Sequence, residues 1–543
     1  MEKGEGMFWC SVCRIPVYGA GCGLCKNKAQ PFVRDCRIVF PEEKRLLEIL
    51  TGRRRGAYDE KSVWNGGGNY YIDGERLPLQ ITKLTQEEIT SAGTKVLYAF
   101  EDMDPRFFEE MVCRFVKANR QHFFELEKEA IWYIRRLSQE YAVGNMYVSF
   151  SGGKDSTVTA ELVQRALGGE ILHAFADTTL EFSWTYDYIS GYRRKHPEVP
   201  FICAKNEEQE FFSLCSILGP PSRIMRWCCT VFKTSALNRR LDMCFPGEED
   251  ILSFQGLRRS ESAARQKYQR TSSRNKIGRQ VTASPVIHWK DIDIWLYILT
   301  TGIDFNKAYR LGYARAGCWC CPNNSTWSEI LTAVYMPEYH KKYQDYLLEF
   351  ARKTGKKDPE EYVKKGLWKA RQGGNGLAYA GRSVIEFHPC VEENRAFYYE
   401  MSRPFGEEFC ELWKPFGVIN KEIGDKRLGE FYVMDQDMVP ILRIQGKNGS
   451  KRVKIVMEHP ERMGTKSRER ARHYIDCQIT KYQMCIKCHA CEEICPAGAI
   501  RCPENGIYRI NEKKCRRCRK CITYYSGGCY VRKILTVHRS VKG

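Results

Sequence analysis

The sequence predicts an α/β protein built on a mostly parallel sheet, with a small cysteine ribbon before it and a cysteine-rich α+β module at the C-terminus. Three observations carry this. Residues 146–203 alternate short apolar strands with helical patterns, Cys10-x2-Cys13 and Cys22-x2-Cys25 stand eight residues apart, and Cys485-x2-Cys488-x2-Cys491-x3-Cys495-Pro496 precedes a second run at Cys515, Cys518, Cys521 and Cys529. Alternation implies a parallel sheet, because each return to it needs a crossover helix. At 543 residues the chain exceeds one core. The expected division is a ribbon at 1–35, a small mixed module at 36–104, the α/β domain at 105–325, a helical then strand-rich connecting region at 326–475, and the cysteine-rich module at 476–543.

Taken in order, the two N-terminal knuckles suit one tetrahedral metal, so 1–35 reads as a zinc ribbon of structural or docking role, with rubredoxin-type iron as the geometric alternative. Residues 35–102 read as strands and turns with no assignable chemistry. A helical stretch follows from about Pro105 to Tyr141. The α/β core is then strand 146–150, helix 155–167, a stop at Gly168-Gly169, strand 171–176, a helix near 183–193 and strand 200–203, which puts a site at the strand C-termini.

The first turn of that core, after Ser149, is Ser151-Gly152-Gly153-Lys154-Asp155-Ser156. Adjacent glycines allow backbone N–H groups close to an anion, the helix N-terminus adds its dipole and Lys154 adds charge: a phosphate cradle. The common P-loop has four residues between its glycines and Ser or Thr after its Lys, which is not this pattern. The hexamer instead resembles the pyrophosphate loop of the N-type ATP pyrophosphatases, which include relatives of phosphoadenylylsulfate (PAPS) reductase. That resemblance implies an adenine-nucleotide α-hydrolase-like domain that splits ATP between the α and β phosphates, with magnesium, or binds an adenylated sulfate.

Four further segments extend the resemblance over roughly 125–325: Arg226-Trp227-Cys228-Cys229 with Lys233; Gly256-Leu257-Arg258-Arg259 continuing to Arg265; Ser284-Pro285 to Trp295; and Gly312-Tyr313 to Cys318-Trp319-Cys320-Cys321-Pro322. Arg258, Arg259, Arg265 and Lys233 are expected to face multiply charged oxyanions, to which Arg offers a bidentate fork. By the resemblance, Ser149, Ser151–Ser156, Asp177, Gly256, Arg258 and Arg259 contact the nucleotide, and Lys154, Lys233, Arg258 and Arg265 act in catalysis. Cys228, Cys229, Cys318 and Cys321 resemble the ligands of the [4Fe–4S] cluster in adenylylsulfate reductases; a second zinc or buried thiols are the other readings. Cys320 is an extra thiol beside them. The family's assimilatory reductases carry a nucleophilic cysteine in a Glu-Cys-Gly-Leu-His segment, which is absent here, and usually a degraded loop, which here is whole. Both departures point toward use of ATP.

The C-terminal runs resemble a bacterial two-cluster ferredoxin, in which the fourth cysteine of each run serves the other cluster. The resemblance assigns Cys485, Cys488, Cys491 and Cys529 to one cluster, and Cys495, Cys515, Cys518 and Cys521 to the second. Cys529 departs from the pattern, following Cys521 by seven intervening residues instead of three. An electron wire is expected, with a purely structural role as the alternative. Before it lie helices near 326–353, strands from Phe431 to Met457, and a basic Arg462–Arg472 segment read as a linker or polyanion-facing strip.

Composition bounds the functions. Twelve of the 26 cysteines fall in C-x2-C groups without a secretory signal, which favours metal ligation in a reducing compartment. No run of about 18 apolar residues is present, so a soluble cytoplasmic chain with no membrane partner is expected. Net charge is +20, and residues 441–543 hold 24 Lys and Arg against 8 Asp and Glu, suiting nucleic acid or an acidic protein. The expected function is ATP-dependent adenylation and sulfur transfer onto an acceptor such as tRNA or DNA, with a sulfur-donor or electron-transfer protein as partner. The alternatives are an adenylylsulfate or PAPS reductase fed by its own ferredoxin, and a non-enzymatic electron-transfer or nucleic-acid-binding scaffold.

Overall fold

Phe8–Cys10, Ile15–Val17 and Gln30–Pro31 make a three-stranded antiparallel sheet around the first four cysteines. The computed structural model describes residues 6–96, 98–101, 103–247, 250–273, 280–465, 467–503 and 506–536; residues 537–543 of the expected C-terminal module lie outside them. The chain divides into two compact units. The first holds Met1–Ala204, Met243–Ser273 and Gln280–Asp345, and the second Lys205–Asp242 and Tyr346–Gly543. The expected 105–325 domain is therefore interrupted by Lys205–Asp242, and the expected 326–475 region is shared between units.

The first unit is organised by a six-stranded sheet in the order Phe201–Lys205, Leu172–Asp177, Met146–Ser149, Ile251–Gln255, Gln280–Ala283, Thr271–Ser273. The central pairings are parallel, and Thr271–Ser273 closes one edge antiparallel. Met146, Tyr147 and Val148 are all buried, as befits a parallel strand covered on both faces. The expected helix at 105–141 is two helices, Arg106–Ala118 and Arg120–Ser138. They break at Asn119, whose buried side-chain amide donates to the Phe115 and Pro16 carbonyls.

The ribbon is not a free-standing module. It shares the core of the first unit, and a Cβ at Gly23 would sit 2.2 Å from the Ala118 carbonyl oxygen. Residues 36–104 hold the expected strands, Arg37–Ile38, Val63–Gly66, Asn69–Ile72 and Glu75–Arg76, together with two helices that the sequence reading lacked, Pro41–Leu50 and Gln86–Val96.

The second unit sets a six-stranded antiparallel sheet beside helix Arg468–Met484. Its strands run in the order Glu386–Pro389, Ala396–Glu400, Arg452–Met457, Pro440–Gln445, Glu430–Met434, Val418–Asn420. Of the two readings of the basic segment, linker or polyanion-facing strip, the linker is corrected here: Ser467 caps this helix, accepting from the Arg470 N–H, and Arg468–Arg472 form its first turn. Short helices Ala490–Glu493, Lys520–Thr523 and Tyr530–Leu535 and the pair Ile500–Arg501 with Arg509–Ile510 complete the cysteine-rich module.

Candidate nucleotide site and metal centres

Three neighbouring strands end together in the first unit, and the turns beyond them build the site. Gly152 has φ +70°, the left-handed region that glycine tolerates best. Ser151 N–H donates to the Ser156 hydroxyl at 3.1 Å, which donates to the Gly153 carbonyl at 2.8 Å, so the loop is closed on itself. Lys154 N–H donates to the Tyr309 hydroxyl at 2.9 Å. Gly256, ending the adjacent strand, lies so near the helix start that a Cβ there would meet the Asp155 carbonyl at 2.5 Å.

Lys154 is 1% exposed, and its Nζ lies 3.1 Å from Asp291 Oδ1, 3.4 Å from Asp155 Oδ2 and 3.2 Å from the Ala314 carbonyl. Arg258, 4% exposed, pairs through Nε with Asp155 and reaches Asp291 at 2.9 Å and the Ser260 hydroxyl at 3.0 Å. Two cations and two carboxylates thus interlock below the loop. Burial alone would raise Asp155, but the Lys154 and Arg258 charges outweigh it and hold the carboxyl at about 2.

The structure sorts the expected site residues. Lys154, Asp155, Ser156, Gly256 and Arg258 come together, with Ser149 and Ser151 at the same strand end. Asp177 ends the neighbouring strand and accepts from the Thr179 N–H and the Tyr186 hydroxyl, each at 2.8 Å. Arg259 turns aside to donate to the Tyr268 carbonyl at 2.9 Å, and Arg265 pairs with Glu261 at 2.5 Å. Lys233 is exposed and belongs to the second unit. Asp291, Tyr309 and Asp35 complete the site and were missed from sequence. The signal for Asp291 was its place at a helix start; Asp35 and Tyr309 carry no local signal.

Asp35 ties the ribbon's exit to this network by accepting from the Asp291 and Ile292 N–H groups at 2.8 and 3.1 Å. Burial, then the Asp291 charge, push its carboxyl from 3.8 up to about 6. A folded-state value above the unfolded one means that the folded chain holds the proton more tightly, so the contribution is full below about pH 4 and lost as pH rises through about 6. Urea stability of the wild type should therefore fall across that window by roughly 2–3 kcal/mol at this group. Asp35→Asn should flatten the slope; an unchanged slope would assign it to another group.

Cys318 lies on the far side of the site, its thiol 3.4 Å from the Thr178 hydroxyl and 3.8 Å from Glu181 Oε1. Trp319 N–H donates to the Leu180 carbonyl, so the Cys318–Cys321 loop is fastened beside Asp177; Cys320 within it is buried. The structure places Cys318 and Cys321 in the first unit and Cys228 and Cys229 in the second. Cys229–Thr234 is a π-helical stretch, an uncommon form that concentrates at functional positions.

In the ribbon, the thiol sulfurs of Cys10, Cys13, Cys22 and Cys25 lie within 4.8 Å of one another, with Cys10–Cys25 at 3.5 Å and Cys22–Cys13 at 3.8 Å. Tetrahedral zinc with Zn–S near 2.3 Å requires sulfurs about 3.8 Å apart, so the four fit one such ion. Arg14 and Lys26, each directly after the second cysteine of a knuckle, are both left-handed. N–H groups from Asn27 hold the Cys25 thiol at about 6.

The C-terminal module repeats a backbone device. Lys487 and His489 flank Cys488 with φ of 56° and 57°, and Arg517 and Arg519 flank Cys518 with 48° and 59°. Four non-glycine residues in this region thus give the two C-x2-C-x2-C runs matched backbone turns on either side of the middle cysteine. Burial raises Cys488, and the charges facing it are those of Cys529, Cys491 and Cys485; Cys515 faces Cys495 and Cys518, and Cys521 faces Cys495 and Cys515. Cys491 is acted on by Cys529 and also by Cys521, which the resemblance puts in the other set. Gly528 at φ +80° packs so closely that a Cβ would lie 2.5 Å from that of Cys477, fixing the entry to Cys529.

A buried group that the sequence reading did not single out lies beside the first set. His489, Glu492 and Cys502 hold ligand atoms within 4.8 Å of one another, but an Arg239 guanidinium nitrogen stands 3.2 Å from His489 Nε2 and 2.9 Å from Glu208. These pairs clasp the 205–242 segment to the Cys488–Cys491 loop. In the same unit Tyr530 donates to the Thr230 hydroxyl at 2.9 Å, and burial, with smaller contributions from Cys488 and Cys228, pushes its own hydroxyl up.

Comparison with known proteins matches residues 145–324 to the phosphoadenosine phosphosulfate reductase domain and residues 481–501 to the 4Fe-4S binding domain. An uncharacterized protein of Methanocaldococcus jannaschii is 33% identical over 261 residues, 48% of this chain and 53% of that protein. The chain thus spans about half the length of that curated relative. An adenosine 5'-phosphosulfate reductase of Lysinibacillus sphaericus is 26% identical over 36% of this chain and 81% of its own length. Sulfate adenylyltransferase subunit 2 of Zymomonas mobilis is 26% identical over 35% of this chain and 67% of its own. Among the described residues no helix is long and apolar enough to cross a membrane.

Proposed function

We infer, from a chain that joins a phosphoadenosine phosphosulfate reductase-family domain to a 4Fe-4S binding domain, that the protein is an iron–sulfur enzyme that adenylates an acceptor with ATP and passes sulfur to it. The observation that carries this reading is the intact loop at Ser151–Ser156 with Lys154 and Arg258 locked beneath it by Asp155 and Asp291. Loop N–H groups and the two cations hold the phosphates; an acceptor oxygen attacks the α phosphorus and pyrophosphate leaves with its charge compensated. Sulfur bound to a cysteine as a persulfide then displaces AMP from the activated carbon, and two electrons are needed to break the remaining S–S bond. Iron–sulfur clusters, which the cysteine runs at Cys485–Cys495 and Cys515–Cys529 would hold, would supply these electrons one at a time. The hydrogen bond from Tyr530 to Thr230 joins the cysteine-rich module to the segment bearing Cys228 and Cys229, which supports a route from the first thiol set to that segment. The basic stretch at 441–543 favours a tRNA or DNA acceptor.

A second reading is favoured by the likeness to a named adenosine 5'-phosphosulfate reductase: release of sulfite from a preformed sulfonucleotide. One assay separates them. Anaerobically purified chain is given ATP with tRNA or DNA, and separately adenylylsulfate or PAPS with dithionite. Pyrophosphate release that depends on nucleic acid supports the first; sulfite formed without ATP overturns it. About twelve irons and about one zinc per chain are expected if three clusters and the ribbon are filled.

A further inference from the structure

We propose that Lys481 is the counter-charge shared by the two C-terminal clusters and that it raises the reduction potential of both. The proposal rests on the two-cluster reading of the module given above. Helix Arg468–Met484 is buried almost throughout its last eight residues, a setting in which lysine is rarely found without a carboxylate partner. Lys481 is 2% exposed. Its ammonium donates to the Cys521 carbonyl at 2.5 Å and lies 5.0 Å from the centre of the Tyr508 ring. Among the described residues no carboxylate pairs with it; the ionisable groups that act on it are the thiols of Cys491, Cys521, Cys529 and Cys477. Cys491 and Cys529 belong to the first set and Cys521 to the second, so one cation serves both.

The helix reaches both sets because it packs against helix Lys520–Thr523 and against the Ser526–Gly528 turn that leads to Cys529. A buried ammonium without an opposing charge is strongly unfavourable, and two anionic clusters are the counter-ions this position requires. Reduction adds one electron to a cluster that is already negative. A fixed positive charge nearby, inside a dry interior, stabilises the reduced form more than the oxidised form. Because the charge faces thiols of both sets, its removal must be felt by both clusters, whereas a residue that only filled space would move neither.

The test uses the full chain, purified anaerobically, with Lys481→Met, Lys481→Gln and Lys481→Arg beside the wild type. Iron is counted first, and the two midpoint potentials are then read by electron paramagnetic resonance during titration with dithionite. Lys481→Met and Lys481→Gln should keep their iron and lower both potentials by at least a tenfold change in the one-electron equilibrium, about 59 mV. Lys481→Arg, which keeps the charge, should stay near the wild type. A shift in one potential alone, or in neither, overturns the proposal. Loss of iron from both neutral variants also overturns it, since the charge would then serve assembly instead of tuning. Wild-type iron below about eight per chain marks failure of the two-cluster reading itself and is seen before any variant is made.

Discussion

Arg258→Leu should lower the stability of the first unit by about 3–5 kcal/mol and cut pyrophosphate release at least about 100-fold. The guanidinium is nearly excluded from solvent and bridges Asp155 and Asp291, so its loss leaves two carboxylates facing one lysine in a buried site. Stability and chemistry can be separated by a second substitution. Arg258→Leu with Asp155→Asn removes the orphaned charge and should recover much of the stability, measured by urea denaturation, while turnover stays low because a phosphate-facing cation is still missing. Equal recovery of both would assign Arg258 to the architecture alone. Nucleotide affinity, read by equilibrium dialysis, should fall with turnover in both variants.

Cys488→Ser should remove about four of roughly twelve irons and abolish any reaction that needs an external electron donor. Pyrophosphate release from ATP should remain within about twofold of the wild type, since the loop and its cations belong to the other unit. Cys518→Ser is the informative partner. It also removes about four irons, but from the set that does not face Tyr530, so dithionite acting directly on the first cluster should still drive the reaction. If Cys518→Ser fails as completely as Cys488→Ser, the order of the two clusters on the route is wrong.

Local chemistry was legible in the sequence wherever spacing alone dictates geometry. The knuckles, the Gly152-Gly153 turn and the two ferredoxin-like runs all act through residues a few positions apart, and each folds near its expected form. Long-range partners were not legible. Asp291 lies 33 residues beyond Arg258 and Asp35 more than 250 residues before Asp291, and nothing in either local pattern announces a shared site. Helix Arg468–Met484 was misread for a related reason: its basic first turn resembles a linker, and burial of the rest on several sides at once erases the one-faced periodicity by which surface helices are recognised.

The path of the chain between its two units constrains how the protein can be made. Among the described residues, the polypeptide enters the second unit at Lys205, leaves it after Asp242, and returns after Asp345. During synthesis the stretch bearing Cys228 and Cys229 therefore leaves the ribosome long before the helices it packs against exist, and it must wait for the last cysteines to emerge. For the same reason neither half can be cut out as one uninterrupted piece of gene.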